Sequence, residues 1–178
     1  MYRKFAAVIL CLLVLTGPQL VQAASTPHDF VKVKLISNVS RVEAGKEFYV
    51  GALFELKPGW HIYWKHPGES GLPTSVKFAH TDDLEIGELK WPEHEQFKQG
   101  ELTANGYSDS VLLFAPFKVK ARSTGDKITV MAKIKWLGCN GSLCVPGRKT
   151  EQIELPLGSL TKSSEDKLFR KWFKKVED

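Results

Sequence analysis

Two cysteines, Cys139 and Cys144, are the residues whose type and spacing are best suited to chemistry. Asn140 and Gly141 lie between them and tolerate the positive φ angles of a tight turn. The preceding run, 127–136, alternates between apolar and polar residues, as a half-buried strand does. Its apolar face comprises Ile128, Val130, Ala132, Ile134 and Trp136. The pattern predicts a β-hairpin with one cysteine on each side of its turn.

A close cysteine pair can be a structural crosslink, half of a metal site or a redox centre. Closing so short a loop removes only about 2 kcal/mol of unfolded-state entropy, against about 4.7 kcal/mol for a long loop. A zinc site commonly needs four ligands, and the third cysteine, Cys11, lies in a segment that we expect to be removed. A pair that opens at modest cost suits thiol–disulfide exchange. The spacing favours a structural disulfide and a redox pair about equally, and a metal site is the least favoured of the three.

Residues 1–23 have the layout of a secretory signal peptide. Arg3 and Lys4 precede an apolar run at 5–15, and small residues frame a cleavage position near Ala23. We therefore expect export to an oxidising compartment, where Cys139 and Cys144 form an intramolecular disulfide.

The charge and hydropathy of the remaining chain exclude several classes of protein. The 178 residues carry a formal net charge of +5, which falls by two if Arg3 and Lys4 are removed. Without a long basic block, we expect no nucleic-acid partner. No second apolar stretch approaches the roughly 18 residues of a transmembrane helix, so we expect a soluble mature protein with one domain.

Alternation with a period of two dominates the chain from residue 30 onward. Val31, Val33 and Leu35 alternate with lysines, and residues 48–56 alternate in the same way. Further strand candidates lie at 60–65, 75–79, 84–91, 111–120 and 149–155. Glycine and proline turn signals separate them. The pattern predicts an all-β fold for residues 24–158, an antiparallel β-sandwich of immunoglobulin-like type.

Residues 159–178 are predicted to form a short amphipathic C-terminal helix. Glu165 and Asp166 suit the first turn, next to the positive end of the helix dipole. The apolar stripe comprises Leu168, Phe169, Trp172, Phe173 and Val176. This stripe either docks on the sandwich or lies on an anionic membrane surface. We favour docking, because one such helix binds lipid weakly by itself, and we expect at most peripheral membrane contact.

Two further stretches carry candidate site residues. In 57–65, alternation places His61 and Tyr63 on one face, which is either solvated or lines the cysteine site. In the polar segment 91–100, predicted to be a loop, Phe97 is either an ordinary core residue or the tip of a movable cap. The histidines do not recur at ligand spacing, so we expect no metal site and no cofactor.

Several of these stretches together resemble a known family. The segments 57–78, 91–100, 106–107 and above all 136–146 are similar to the amino-terminal periplasmic domain of the thiol:disulfide interchange protein DsbD and its ScsB-type relatives. The likeness covers most of the chain after the signal segment. It implies an immunoglobulin-like domain in the periplasm, whose cysteine pair accepts electrons from a transmembrane partner domain and passes them to oxidised proteins.

The resemblance also implies roles for individual residues. Cys139 and Cys144 correspond to the redox pair, with Cys144 forming the mixed disulfide. Phe97 matches the aromatic residue of the family's cap loop, and Tyr63 matches an active-site tyrosine. The position of His61 is often tyrosine in the family, so the chain departs from the pattern there. Because the best-known members continue into membrane and thioredoxin-like domains, we expect thioredoxin-like partners and a separate membrane electron donor.

Three functions fit these observations. The first is a periplasmic thiol–disulfide relay, a protein-disulfide reductase in type. The second is a non-catalytic envelope adaptor that keeps the pair as a structural disulfide. The third is a copper-handling protein that uses the thiols and His61. Copper sites commonly add methionine ligands, and the whole chain has only two methionines, one of them Met1, so this function is poorly supported.

The two cysteines are predicted to differ in access. Cys139 follows a strand that we expect to be buried, whereas Cys144 opens toward a Pro-Gly turn. Cys144 should be the more accessible sulfur. Arg148 and Lys149 follow it, and their charges would favour its thiolate if they lay close in space.

Overall fold

The structure is a computed structural model that describes residues 30–79, 81–121, 123 and 125–176. The predicted signal segment, 1–23, lies outside the described residues, together with Cys11 and the cleavage position near Ala23. Within the part that is described, no helix is long and apolar enough to cross a membrane.

The described residues form twelve β-strands and one α-helix. The strands are β1 Val31–Ser37, β2 Val39–Arg41, β3 Glu47–Leu56, β4 His61–Gly68, β5 Ser75–Phe78, β6 Leu84–Ile86, β7 Glu95–Gln99, β8 Leu102–Ser108, β9 Ser110–Val119, β10 Lys127–Cys139, β11 Cys144–Pro156 and β12 Thr161–Lys162, and the helix is α1 Asp166–Phe173.

These strands form two principal sheets. The smaller has the order β1-β3-β9-β6, and the larger has the order β11-β10-β4-β8-β7, with β5 also paired to β10. A third pairing joins β12 to β2. Every pairing between the named strands is antiparallel. The predicted all-β, immunoglobulin-like sandwich with a short C-terminal helix is confirmed.

The main core lies between the two sheets and follows from the alternation in the sequence. On β3 and β9, Phe48 pairs with Phe117, and both side chains are buried. The Phe117 ring lies 4.9 Å from that of Phe78 on β5, so aromatic contacts link the sheets. On β10, the predicted apolar positions from Ile128 to Ile134 are buried on the same side.

Helix α1 covers the outer face of the smaller sheet. Phe169 and Trp172 are buried, and the Phe173 ring lies 4.7 Å from that of Tyr49 on β3. The predicted stripe therefore docks on the sandwich. Within the segment 159–178, residues 161–162 extend along β2 as β12, and the helix begins at Asp166, in the first turn predicted from Glu165 and Asp166.

The segment 91–100 is not the loop that its polar composition predicts. Residues 95–99 form β7, which pairs in register with β8 from Glu95 opposite Gly106 to Gln99 opposite Leu102. Gly100 turns the chain with a φ of 63°. Hydrogen bonding to β8 overrides the weak strand propensity of these polar residues. Phe97 consequently lies on an edge strand of the larger sheet.

Candidate functional site

The predicted site residues meet on the outer face of the larger sheet, away from the main core. On β10, Cys139 lies opposite Cys144 of β11 on one side and opposite His61 of β4 on the other. Directly opposed residues project to the same face, and Tyr63 follows His61 at the next position on that face. The strand pairing thus joins two stretches that the sequence does not connect.

Cys139 and Cys144 form a disulfide, as predicted, with Cα atoms 4.1 Å apart. The turn between them is held by Asn140, whose side-chain oxygen accepts hydrogen bonds from the backbone N–H groups of Ser142 and Leu143 at 3.0 and 2.8 Å. The two cysteines are in opposite environments. Cys139 is completely buried, whereas Cys144 is exposed. An incoming sulfur can therefore approach Cys144 far more easily than Cys139.

Tyr63 connects the buried sulfur to a polar network. Its side chain is only 1% exposed, and its hydroxyl donates a hydrogen bond to Cys139 Sγ at 3.2 Å. The same hydroxyl accepts a hydrogen bond from Gln99 Nε2 at 2.8 Å. Gly71 packs on the Tyr63 ring with a φ of +90°, and a Cβ atom there would overlap the ring. The tyrosine is thereby held with its hydroxyl aimed at the sulfur.

Gln99 organises this network through both ends of its amide. Its Oε1 accepts a hydrogen bond from Ser70 Oγ at 2.5 Å, and its Nε2 lies 3.1 Å from His61 Nε2. Because an amide nitrogen only donates, His61 Nε2 must accept, and the imidazole is neutral with its proton on Nδ1. Burial lowers the pKa of His61, which favours this neutral form. Protonation of His61 would break its contact with Gln99.

Phe97 covers this arrangement from β7. Its ring stacks on His61, with centroids 4.7 Å apart and planes 27° apart. It also packs against a small cluster formed by Tyr63, Ala104 and Cys139. Between β7 and the turn at 140–143 lies a groove of about 430 Å³, which is bordered by Phe97, His61 and the exposed Cys144. A partner that enters this groove would meet Cys144 first.

One predicted neighbour of the cysteines lies elsewhere. Lys149 is opposite Ile134, a core-facing position, so it leaves the sheet on the side opposite to Cys144. Its Nζ donates a hydrogen bond to the carbonyl of Val33 at 2.9 Å and forms an ion pair at 2.5 Å with Glu151. Its charge is thus not directed at the thiol.

Sequence reasoning missed Gln99, Ser70 and Gly71. A period of two within 95–99 would have placed Gln99 on the same face as Phe97, had this segment been interpreted as a strand. Nothing local in the sequence marks Ser70 or Gly71. Among the residues that the structure describes, no group of three or more His, Cys, Asp or Glu side chains could hold a metal ion.

Comparison with known proteins identifies the family of this chain. The family described as the N-terminal domain of thiol:disulfide interchange protein DsbD matches residues 28–156. The N-terminal periplasmic domain of ScsB from Proteus mirabilis is similar in structure, with a TM-score of 0.60 and 17% sequence identity. The match covers 83% of this chain and 55% of the ScsB chain. The reduced DsbD N-terminal domain of Neisseria meningitidis gives a TM-score of 0.36 and 12% identity over 73% of this chain and 90% of its own. No curated protein matches the sequence. The chain belongs to the family of DsbD N-terminal domains.

Proposed function

We propose that this domain relays electrons by thiol–disulfide exchange, with Cys144 as the sulfur that partners attack and Cys139 as the resolving sulfur. The difference in exposure between these two bonded cysteines carries the proposal. We further propose that the chain works in the periplasm after cleavage near Ala23. Its partners are then thioredoxin-like domains, a membrane electron donor and oxidised envelope proteins.

Reduction of the pair begins when a partner thiolate attacks Cys144 Sγ. A new intermolecular disulfide forms, the Cys139–Cys144 bond breaks, and its electron pair leaves on Cys139. The second thiolate of the partner then attacks the partner sulfur that is bonded to Cys144, and Cys144 leaves as a thiolate. The domain has gained two electrons, and the partner has become a disulfide. The reverse sequence, with Cys144 attacking a substrate disulfide and Cys139 resolving the product, passes the electrons on.

The surrounding residues favour this division of labour. The Tyr63 hydroxyl already donates to Cys139 Sγ, so it can stabilise the negative charge that develops there. Gln99 and Ser70 hold that hydroxyl in place. Phe97 acts as a cap that packs on the cluster around Cys139 and lines the groove beside Cys144.

A trapping experiment tests the roles of the two cysteines. The probe is a thioredoxin variant with one active-site cysteine, activated as a mixed disulfide with a good leaving thiol. Reduced wild-type protein should attack through Cys144 and then release free thioredoxin, because Cys139 resolves the complex. Cys139→Ser should retain the covalent complex, and Cys144→Ser should retain little, because the remaining sulfur is buried.

Equal trapping by both variants would refute the assigned roles. Trapping by neither would favour the adaptor. A redox titration independently distinguishes an adaptor with a structural disulfide from an exchange protein. A structural disulfide is expected to have a potential below roughly −300 mV, whereas exchange catalysts lie above it.

A further inference from the structure

Four cations lie on the same sheet face as the disulfide. Lys135 of β10 is directly opposite Arg148 of β11, and Lys133 of β10 is directly opposite Lys77 of β5. All four are exposed. The positions on β10 differ from Cys139 by even numbers of residues in an unbroken register, so their side chains share its face. We refer to Lys77, Lys133, Lys135 and Arg148 as the basic ladder.

Folding does not account for the basic ladder. Like charges directly opposite each other on neighbouring strands destabilise a sheet. None of the four cations forms an ion pair with a residue that the structure describes. Strands β10 and β11 do form an ion pair elsewhere, since Lys127 of β10 lies 2.8 Å from Glu154 of β11. The basic ladder therefore presents uncompensated positive charge to whatever approaches this face.

The distances from the disulfide place Lys135 and Arg148 at the edge of a small partner's footprint, and Lys133 and Lys77 just beyond that edge. At about 3.3 Å per residue, Lys135 and Arg148 lie about 13 Å from the cysteines, and Lys133 lies about 20 Å away. Weak electron-transfer complexes bury less than about 1,200 Å² in total, which corresponds to a patch with a radius of about 14 Å on each protein. Charges at such a rim act mainly on association rate and its salt dependence.

We propose that the basic ladder receives an acidic surface of the exchange partner and orients the partner's sulfur toward Cys144. This inference rests on the function proposed above. A protein surface is favoured over an anionic membrane because the partner must reach Cys144. Its surface then covers Lys135 and Arg148 and approaches Lys133 and Lys77. The acidic groups are expected about 13–20 Å from the partner's reactive sulfur.

Two matched peptides provide the test. Each carries one cysteine activated as a pyridyl disulfide. One peptide has three Asp residues and the other has three Asn residues, placed four, five and six residues from the cysteine. Release of thiopyridone by the reduced protein measures the exchange rate. At low ionic strength, the acidic peptide should react about tenfold faster. The two rates should converge as salt is raised to about 0.5 M, where the Debye length is only a few ångströms.

Charge-neutralised variants locate the effect. The quadruple variant Lys77→Gln, Lys133→Gln, Lys135→Gln and Arg148→Gln should lose the preference while retaining its rate with the Asn peptide. The matched control neutralises Lys32, Lys34, Lys167 and Lys171, which lie on β1 of the smaller sheet and on α1. That control should keep the preference. If the quadruple variant does not fold, the double variant Lys135→Gln and Arg148→Gln replaces it. This double variant should lose part of the preference for the acidic peptide.

Each other outcome has a separate meaning. Equal rates for both peptides overturn the basic ladder as a docking surface and leave the exchange function intact. No reaction with either peptide overturns the exchange function and the inference with it. Binding to phosphatidylglycerol vesicles that depends on the basic ladder, together with equal peptide rates, would instead identify a membrane-facing surface and overturn the proposal.

Discussion

The core between the two sheets and the small cluster around Cys139 are both buried, but they are built from different residues. The core contacts of Phe48, Phe78 and Phe117 are made by hydrocarbon rings. The small cluster contains the hydroxyl of Tyr63 and a sulfur, both joined by hydrogen bonds. Burying polar atoms requires partners with defined positions, whereas apolar packing does not. The core thus supplies stability, and the small cluster fixes the position of Cys139 Sγ.

The two regions also differ in how they can open. The core is enclosed by both sheets. The small cluster is covered by Phe97 on β7, which is the terminal strand of the larger sheet and, among the described strands, pairs with β8 alone. Displacing an edge strand exposes little apolar surface, so local opening needs less free energy than global unfolding. A partner could therefore reach the site without disturbing the core.

The largest expected effect comes from the core. Phe117→Ala should lower the free energy of unfolding by about 3–5 kcal/mol, because it removes a fully buried ring and leaves a cavity. Urea denaturation measures the loss. Under native conditions, the rate at which iodoacetamide alkylates the reduced cysteines should not change. Faster alkylation would mean that the core controls access to the sulfurs.

Phe97→Ala is the matched substitution at the cap. Because Phe97 is only partly buried, the loss in the free energy of unfolding should be smaller than about 3 kcal/mol. Alkylation of the reduced pair should become faster, since the covering ring is gone. A large loss of stability with unchanged alkylation would show that Phe97 is ordinary core.

Tyr63→Phe should have an intermediate effect, confined to the chemistry. It removes the hydrogen bond to Cys139 Sγ while preserving the ring. Hydrogen bonds to charged groups exceed neutral ones by about 1 kcal/mol, so reduction of the disulfide should slow by about fivefold as charge develops on Cys139. Tyr49→Phe is the control, because that hydroxyl bonds Glu47 on the other sheet. Equal rates in wild type and Tyr63→Phe would rule out this role.

The smallest effect concerns pH and His61. Burial lowers the pKa of His61 in the folded protein, so on acidification the unfolded chain takes up its proton first. The stabilising contribution is complete above the ordinary histidine value of about 6.5 and is lost as the pH falls through the lowered pKa. Urea midpoints between pH 7.5 and 5 should therefore drop more steeply for wild type than for His61→Gln. Parallel curves would contradict a neutral, half-buried imidazole.

Local patterns in the sequence determine much of this fold. Alternation identified most of the strands, and the two cysteines beside Asn140 and Gly141 correctly predicted a hairpin closed by a disulfide. The apolar stripe around Phe169 predicted a docked helix. These features depend on neighbouring residues, because side-chain direction in a strand or helix follows from spacing along the chain.

Only the tertiary structure decided which strands meet and in which register. It placed His61 opposite Cys139, turned a polar segment into β7, and brought Gln99 to Tyr63. It also turned Lys149 away from Cys144 and placed the basic ladder on the same sheet face as the disulfide. Pairing between strands far apart in sequence is set by the packing of the whole sandwich, and a shift of one residue would move every side chain to the opposite face.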